Sequence, residues 1–264
     1  MLVVLLLAVG ALRVGGAGAS PWGGGDRGTP AAAVSDSLAG ELDSGAGGFP
    51  PPASLEHERR LLPPVAAPLS DAGTSAYLWT QDDGRPVAWD PCRSIDYVVS
   101  GAGKGVQLLD LVTSRLSALT GLAFTRVGAT TEVPSRDRSS YQPRRYGQRF
   151  APVLLAWTTP EQVPGLAGDV AGQGGPQEVR NARAGGVLVS GTVSFDAPQL
   201  ATMSEDDVLA VMEHEFGHLV GLGHVQDRAE LMYPELGRYT ARDFGPGDRR
   251  GLSALGQGGC APWV

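Results

Sequence analysis

The chain has 264 residues, and its 38 Gly and 20 Pro are spread so unevenly that the folded part is expected to be shorter than the whole: one domain behind an unstructured leader. The formal net charge is −7, the one lysine is Lys104, and the arginines are scattered among acids, so there is no basic stripe to favour nucleic acid as a partner.

The amino terminus, "MLVVLLLAVGALRVGGAGAS", carries an apolar run from Leu2 to Leu12, too short to span a bilayer, followed by the small residues Ala17-Gly18-Ala19. Residues 1–19 read as a secretion signal. The basic residues that usually precede such a run are missing, which leaves an uncleaved membrane anchor as the alternative. From residue 20 to 73 the composition is Gly, Pro, Ala and Ser, with "GGFPPPAS" and "LLPPVAAPLS", and such a stretch buries too little apolar surface to offset chain entropy. It reads as a disordered spacer or short pro-segment, with His57 in "SLEHERRLL" solvated. The folded domain is expected over 74–264, with no stable membrane span, as a monomer.

Compact elements follow. "IDYVVS" (95–100) reads as a strand, and "VQLLDLVTSRLSALTG" has apolar residues at Val106, Leu109, Val112, Leu116 and Leu119, a helical spacing that stops at Gly121. "LAFTRV" is a second strand. The arginines at 136, 138, 144, 145 and 149 then fall among turn residues, as in a solvated loop. "APVLLAWTT" is a continuous apolar run suited to a buried strand, residues 165–175 are Gly-rich and read as a long loop, and "GGVLVSGTVSFD" (185–196) is another strand. Gly172, Gly174 and Gly175 read as loop glycines, and Trp79, Trp89, Tyr97 and Trp157 as core or rim. This order fits a mixed sheet with helices packed on it. Two cysteines, Cys92 and Cys260, stand near the ends of the domain; either they form a bridge or Cys92 is a free thiolate available to a metal.

Three of the four histidines fall in "MEHEFGHLVGLGHV" (212–225). Ser204 with Glu205, Asp206 and Asp207 supplies an N-cap and an acidic first turn, so a helix carries His214 and His218, four apart on one face. Glu215 is rotated by about 100° from His214, able to address a ligand of an ion without binding it. Gly221 and Gly223 let the chain leave the helix and bring His224 back to the same point. Three protein ligands leave a fourth position open, the arrangement of a catalytic zinc rather than a structural one. Zinc brings the pKa of water there to about 7, Glu215 accepts its proton as general base, and the proton later goes to the leaving amine. The expected reaction is peptide hydrolysis.

"HEFGHLVGLGH" matches H-E-x-x-H-x-x-G-x-x-H, and "LMYP" follows it, so the chain resembles the metzincins and, among them, the matrixins. "VSFDAPQL" resembles the matrixin strand before the active-site helix, and "FGPGDRRGLSALG" the closing helix, so the similarity covers about Ala76 to Gly256. The resemblance implies an α+β fold: a metzincin-like mixed twisted β-sheet with a long active-site helix, a first helix packed on the sheet and a C-terminal helix. It implies one catalytic Zn2+ on His214, His218 and His224, Met232 in a methionine turn beneath it, Tyr233 and Pro234 in the S1′ wall, Asp248 at the start of the final helix, and a polypeptide substrate. Calcium at Asp196 or Asp169 is a further possibility, with solvated loop acids as the plainer reading.

The chain also departs from the family. Matrixins usually hold a second, structural zinc on further histidines, but none lies between His57 and His214, and Ser194 stands where "SFD" resembles "HFD". That zinc is expected to be absent. "DPCRS" superficially resembles the pro-segment cysteine switch of the family, but Cys92 immediately precedes the first strand and Cys260 is available as a partner, so a Cys92–Cys260 disulfide is expected. The function read from the sequence is a secreted zinc-dependent endopeptidase. The alternatives are a zinc-bearing, non-hydrolytic binding module and an amidase acting on cell-wall peptides.

Overall fold

The computed structural model describes residues 59–264 and, before them, only the backbone of two short strands, β1 (Val4–Ala8) and β2 (Arg13–Val14). His57 and the rest of the expected leader and spacer up to residue 58 lie outside the described residues.

After two short pairings, β3 (Ala76–Tyr77) and β4 (Ala88–Trp89), the sheet is built from β5 (Ile95–Ser100), β6 (Phe124–Thr130), β7 (Val153–Thr158), β8 (Val170–Asn181) and β9 (Gly185–Asp196). Their order is β8-β9-β7-β5-β6, parallel throughout except for β8, which runs antiparallel to β9. Parallel neighbours need crossover connections, and α1 (Leu109–Thr120) supplies the one between β5 and β6. All six residues of β7 are buried, as its uninterrupted apolar run requires.

Side chains alternate across the sheet. Tyr97 and Val99, Leu155 and Trp157, and Val193 and Phe195 meet Val112 and Leu116 of α1 and the apolar side of α4 (Glu205–Val220) in the main core. On the opposite face Val98, Leu154 and Ala156 pack with Tyr146, from the short helix α2 (Pro143–Tyr146) in the β6–β7 connection. A mixed α+β architecture results, with α3 (Ala197–Thr202) leading into α4 and α5 (Pro246–Leu255) closing the chain.

Three expectations change. Residues 165–175 are not one long loop: β8 starts at Val170 and takes in Gly172, Gly174 and Gly175. Glycine has no side chain to show a strand's alternation, so the pairing with β9 was hidden. The basic stretch is not uniformly solvated, because Arg138 is buried while Arg136, Arg144 and Arg145 are exposed. Residues 60–73, read as the end of a spacer, lie as a strap against α5. Arg60 donates to the carbonyls of Gly256 and Gly258, Ser253 Oγ donates to Val65, and Arg250 donates to Ala72 and Gly73. Proline-rich sequence without periodicity gives no sign of this, because every one of those bonds is to a backbone carbonyl.

Cys92 and Cys260 form a disulfide across 168 residues, tying the start of β5 to the end of the chain. The alternative of a free Cys92 thiolate falls away.

Candidate active site

The site is built on α4. Ser204 Oγ accepts the Asp207 N–H at 3.1 Å as the N-cap, and the acidic first turn suits the positive end of the helix dipole. The helix stops at Gly221, whose φ of 119° is left-handed and whose added Cβ would come within 2.8 Å of Leu255. Immediately after it, β10 (Leu222–Gly223) pairs with β3 and turns the chain back so that His224 faces the helix.

His214 and His218 are fully buried and His224 is half-buried; the ligand atoms of the three lie within 4.8 Å of one another. His224 Nε2 is 3.1 Å from His214 Nε2 and 3.0 Å from His218 Nε2. The other ring nitrogens fix the tautomers: His214 Nδ1–H donates to the Leu231 carbonyl at 2.7 Å, and His218 Nδ1–H to the Leu222 carbonyl at 2.8 Å. A proton held on Nδ1 leaves the Nε2 lone pair aimed inward, as a metal ligand needs. Burial, with the neighbouring imidazoles adding to it, lowers His214 to about 3 and His218 well below its ordinary value, and burial lowers His224 to about 4. All three are neutral near pH 7, so the donor set fits zinc. Among the described residues the one other group with metal-ligand spacing, Asp90 with Cys92 and Cys260, is closed by the disulfide.

Glu215 is fully buried, and among the described residues neither of its carboxylate oxygens has a hydrogen-bond partner. Burial pushes its pKa well above the usual carboxylate range. Gly172 and Gly174 of β8 face it: a Cβ on Gly172 would be 2.8 Å from Glu215 Cγ, and one on Gly174 would be 3.0 Å from Glu215 Oε2 and 2.8 Å from its carbonyl oxygen. These glycines allow the strand backbone to close directly over the carboxylate.

Met232 is buried beneath α4, where a Cβ on Gly217 would lie 2.6 Å from its sulfur. The turn that carries it is closed by Val225 N–H donating to the Met232 carbonyl at 3.1 Å. It is anchored by two buried carboxylates. Asp248 Oδ2 accepts from Leu231 N–H at 2.6 Å and from Gly245 N–H at 3.1 Å, while Glu230 accepts from the N–H groups of Gly247 and Asp248. Leu231 therefore joins Asp248 to His214 through its own peptide. Tyr233 and Pro234 are half-buried and lead into β11 (Glu235–Leu236), with the Arg228 guanidinium 5.0 Å from the centre of the Tyr233 ring.

Between β8 and β11 lies a slot one strand wide. β1 fills it, parallel to β8 with Leu6 opposite Gly172 and Ala8 opposite Gly174, and antiparallel to β11 with Val4 opposite Leu236.

Sequence reasoning found the ligands and Glu215 but missed Glu230, the two carbonyls that orient the imidazoles, and Gly172 and Gly174. A glutamate in a turn, a backbone oxygen and a glycine in a glycine-rich run carry no sequence mark of the partner they meet. Of the acids considered for calcium, Asp196 caps α3 by accepting from Gln199 N–H, and Asp169 is exposed.

A mixed sheet in which β8 runs antiparallel to β9, a long helix carrying two histidines and a third brought in by a glycine break define a metzincin-type zinc metallopeptidase domain. Residues 165–255 match the family model for matrixin, and the chain carries a matrixin zinc metalloendopeptidase domain. No curated protein matches the chain.

Proposed function

We propose that the protein is a secreted endopeptidase that holds an extended polypeptide in the slot between β8 and β11 and cleaves it with Glu215 as general base and acid. The carrying observation is Glu215 itself: a buried carboxylate whose oxygens have no hydrogen-bond partner among the described residues, next in sequence to His214 on the helix that carries two of the three converging imidazoles. When bound by His214, His218 and His224, zinc supplies Lewis acidity to a water molecule and to the scissile carbonyl. Glu215 takes the proton of the attacking water on a carboxylate oxygen and gives it to the nitrogen of the leaving amine, so its carboxylate is regenerated with each bond cleaved. Burial raises the pKa of Glu215, which makes its carboxylate a better proton acceptor than an exposed one.

Pairing of β1 with both β8 and β11 supports the substrate mode, because a backbone already satisfies the hydrogen-bonding edges of that slot. Met232 supports the histidine platform from below, and Tyr233 with Pro234 forms the S1′ wall. The disulfide and the apolar leader favour export to an oxidising compartment. A non-hydrolytic zinc module would have no use for an unpartnered Glu215. An amidase for cell-wall peptides is less well served by a slot that recognises a continuous strand.

The test is cleavage of casein and of a peptide library by zinc-loaded protein, with and without chelator, beside Glu215→Gln. Wild type should cut and be silenced by the chelator; the variant should keep its zinc and lose roughly 10²- to 10⁴-fold in rate, the usual worth of general acid–base catalysis. Absence of any cleavage by the zinc-loaded wild type would defeat the endopeptidase reading.

A further inference from the structure

The family resemblance implies a structural zinc, and the donor set for it does not fit here: no histidine lies between His57 and His214, and the residue at the corresponding strand position is the buried Ser194. The chain nevertheless holds a long β6–β7 connection, residues 131–152, over the face of the sheet opposite α1 and α4, where Tyr146 of α2 packs on Val98, Leu154 and Ala156. We propose that the Arg138 guanidinium, clamped by Glu132, is the fixed cation that organises this connection in place of a structural metal, so that the folded protein needs one metal ion only.

Arg138 and Glu132 are 6% and 7% exposed. The five N–H donors of the guanidinium all have acceptors. Nε donates to Glu132 Oε1 at 2.9 Å; Nη2 donates to Glu132 Oε2 at 3.3 Å and to the Pro152 carbonyl at 2.8 Å; Nη1 donates to Ser190 Oγ at 3.0 Å and to the Gly191 carbonyl at 3.2 Å. One group thus joins the loop to its own far end and to the middle of β9. The Arg138 carbonyl accepts from Gln177 of β8, and the Ser190 hydroxyl donates a hydrogen bond to the Ala151 carbonyl, closing the ring of contacts.

Glu132 is equally well used. Besides Arg138 it accepts from Gln142 Nε2 at 2.8 Å and from the Tyr146 hydroxyl at 2.6 Å, and Tyr146 is the residue that packs on Val98, Leu154 and Ala156. Burial pushes the Glu132 pKa up, but its bonds from Arg138, Tyr146 and Gln142 outweigh that and hold it below the ordinary range. A buried ion pair is tolerable when its remaining lone pairs and protons are satisfied, which is the case here, and costly once one partner is removed. A guanidinium also does what a dissociable ion cannot: it stays charged and stays bound at every accessible pH and metal concentration.

Among the described residues no group of three acids has metal-ligand spacing, Asp196 caps α3, and Asp169 is exposed.

The experiment uses the full chain in a Glu215→Gln background, so that self-digestion does not interfere, and reads two things: metal content per chain and the rate of tryptic cutting at the exposed Arg144 and Arg145. Expected are one zinc and no calcium per chain, cutting rates that calcium does not change, and cutting at least roughly tenfold faster in Arg138→Met with zinc still at one per chain, since proteolysis reports local opening. Arg138→Lys keeps the charge but not the fork, and should show the same acceleration; it serves if the methionine variant does not fold. A second metal ion per chain, protection of the loop by calcium, or a loop as resistant in Arg138→Lys as in the parent would overturn the proposal. None of these readouts uses peptidase activity, so the assignment stands or falls separately from the proposed reaction.

Discussion

Glu215 sits against two residues with no side chain. The closeness of the Gly172 and Gly174 backbone to its carboxylate means that β8, not only the helix, fixes where that carboxylate points. Gly174→Val should therefore lower kcat on the order of 10²-fold, the cost of displacing a catalytic group by about 1 Å, while zinc content stays at the wild-type level. Steady-state kinetics with metal analysis decide this; unchanged kcat would mean that Glu215 is positioned by α4 alone. Asp248 gives a residue-level pH prediction. Burial, with Glu230 nearby, pushes its pKa up to about 7 against hydrogen bonds from Gly245 and Leu231. A carboxyl raised in the folded state contributes stability that is fully present below its unfolded pKa of about 4 and is lost as pH rises through about 7. Asp248→Asn cannot ionise, so wild type should lose ground to it between pH 5 and pH 8 in urea unfolding. An equal difference at both pH values would show that Asp248 is not the titrating group. The imidazoles were legible from spacing alone. Their orientation was not, because the Leu231 and Leu222 carbonyls that set it arrive by chain reversal.

At the scale of elements, α4 was legible in full, since its cap, acidic first turn and terminal glycine are all local chemistry. The same holds for β9, where Gly185 and Gly186 open a run of apolar residues that ends at Phe195. By contrast β8 was read as loop because its inward positions are glycines, and the strap over α5 was read as spacer because its contacts run from arginine side chains to backbone oxygens. Arg60 is the anchor of that strap, with bonds at 3.0 Å to Gly258 and 2.8 Å to Gly256 at the end of α5. Arg60→Ala should cost about 1.5–3 kcal/mol, typical of hydrogen bonds made by a charged group, and thermal unfolding should fall by several degrees. If the melting temperature does not move, the strap rests on α5 without stabilising it.

For the whole molecule, the Cys92–Cys260 bridge closes 168 residues, so nearly every strand and helix of the domain lies inside one covalent loop. In the loop-entropy model a bridge of that span is worth about 5 kcal/mol, and Cys260→Ser should lower the denaturant midpoint accordingly. The variant should still bind zinc when folded, because the bridge contributes no donor to the triad. A midpoint that is insensitive to the substitution would place the stability in the core alone. By itself the sequence determined the three-histidine cluster, the helix that carries two of its members and the pairing of two cysteines, because each depends on short-range spacing or on there being one available partner. Tertiary structure alone decided that glycines would form the wall facing Glu215, that a proline-rich segment would belong to the packed domain, and that Arg138 would be a buried cation rather than a solvated one. In those cases the deciding atoms are backbone groups and side chains distant in sequence, and only the folded chain brings them within hydrogen-bonding distance.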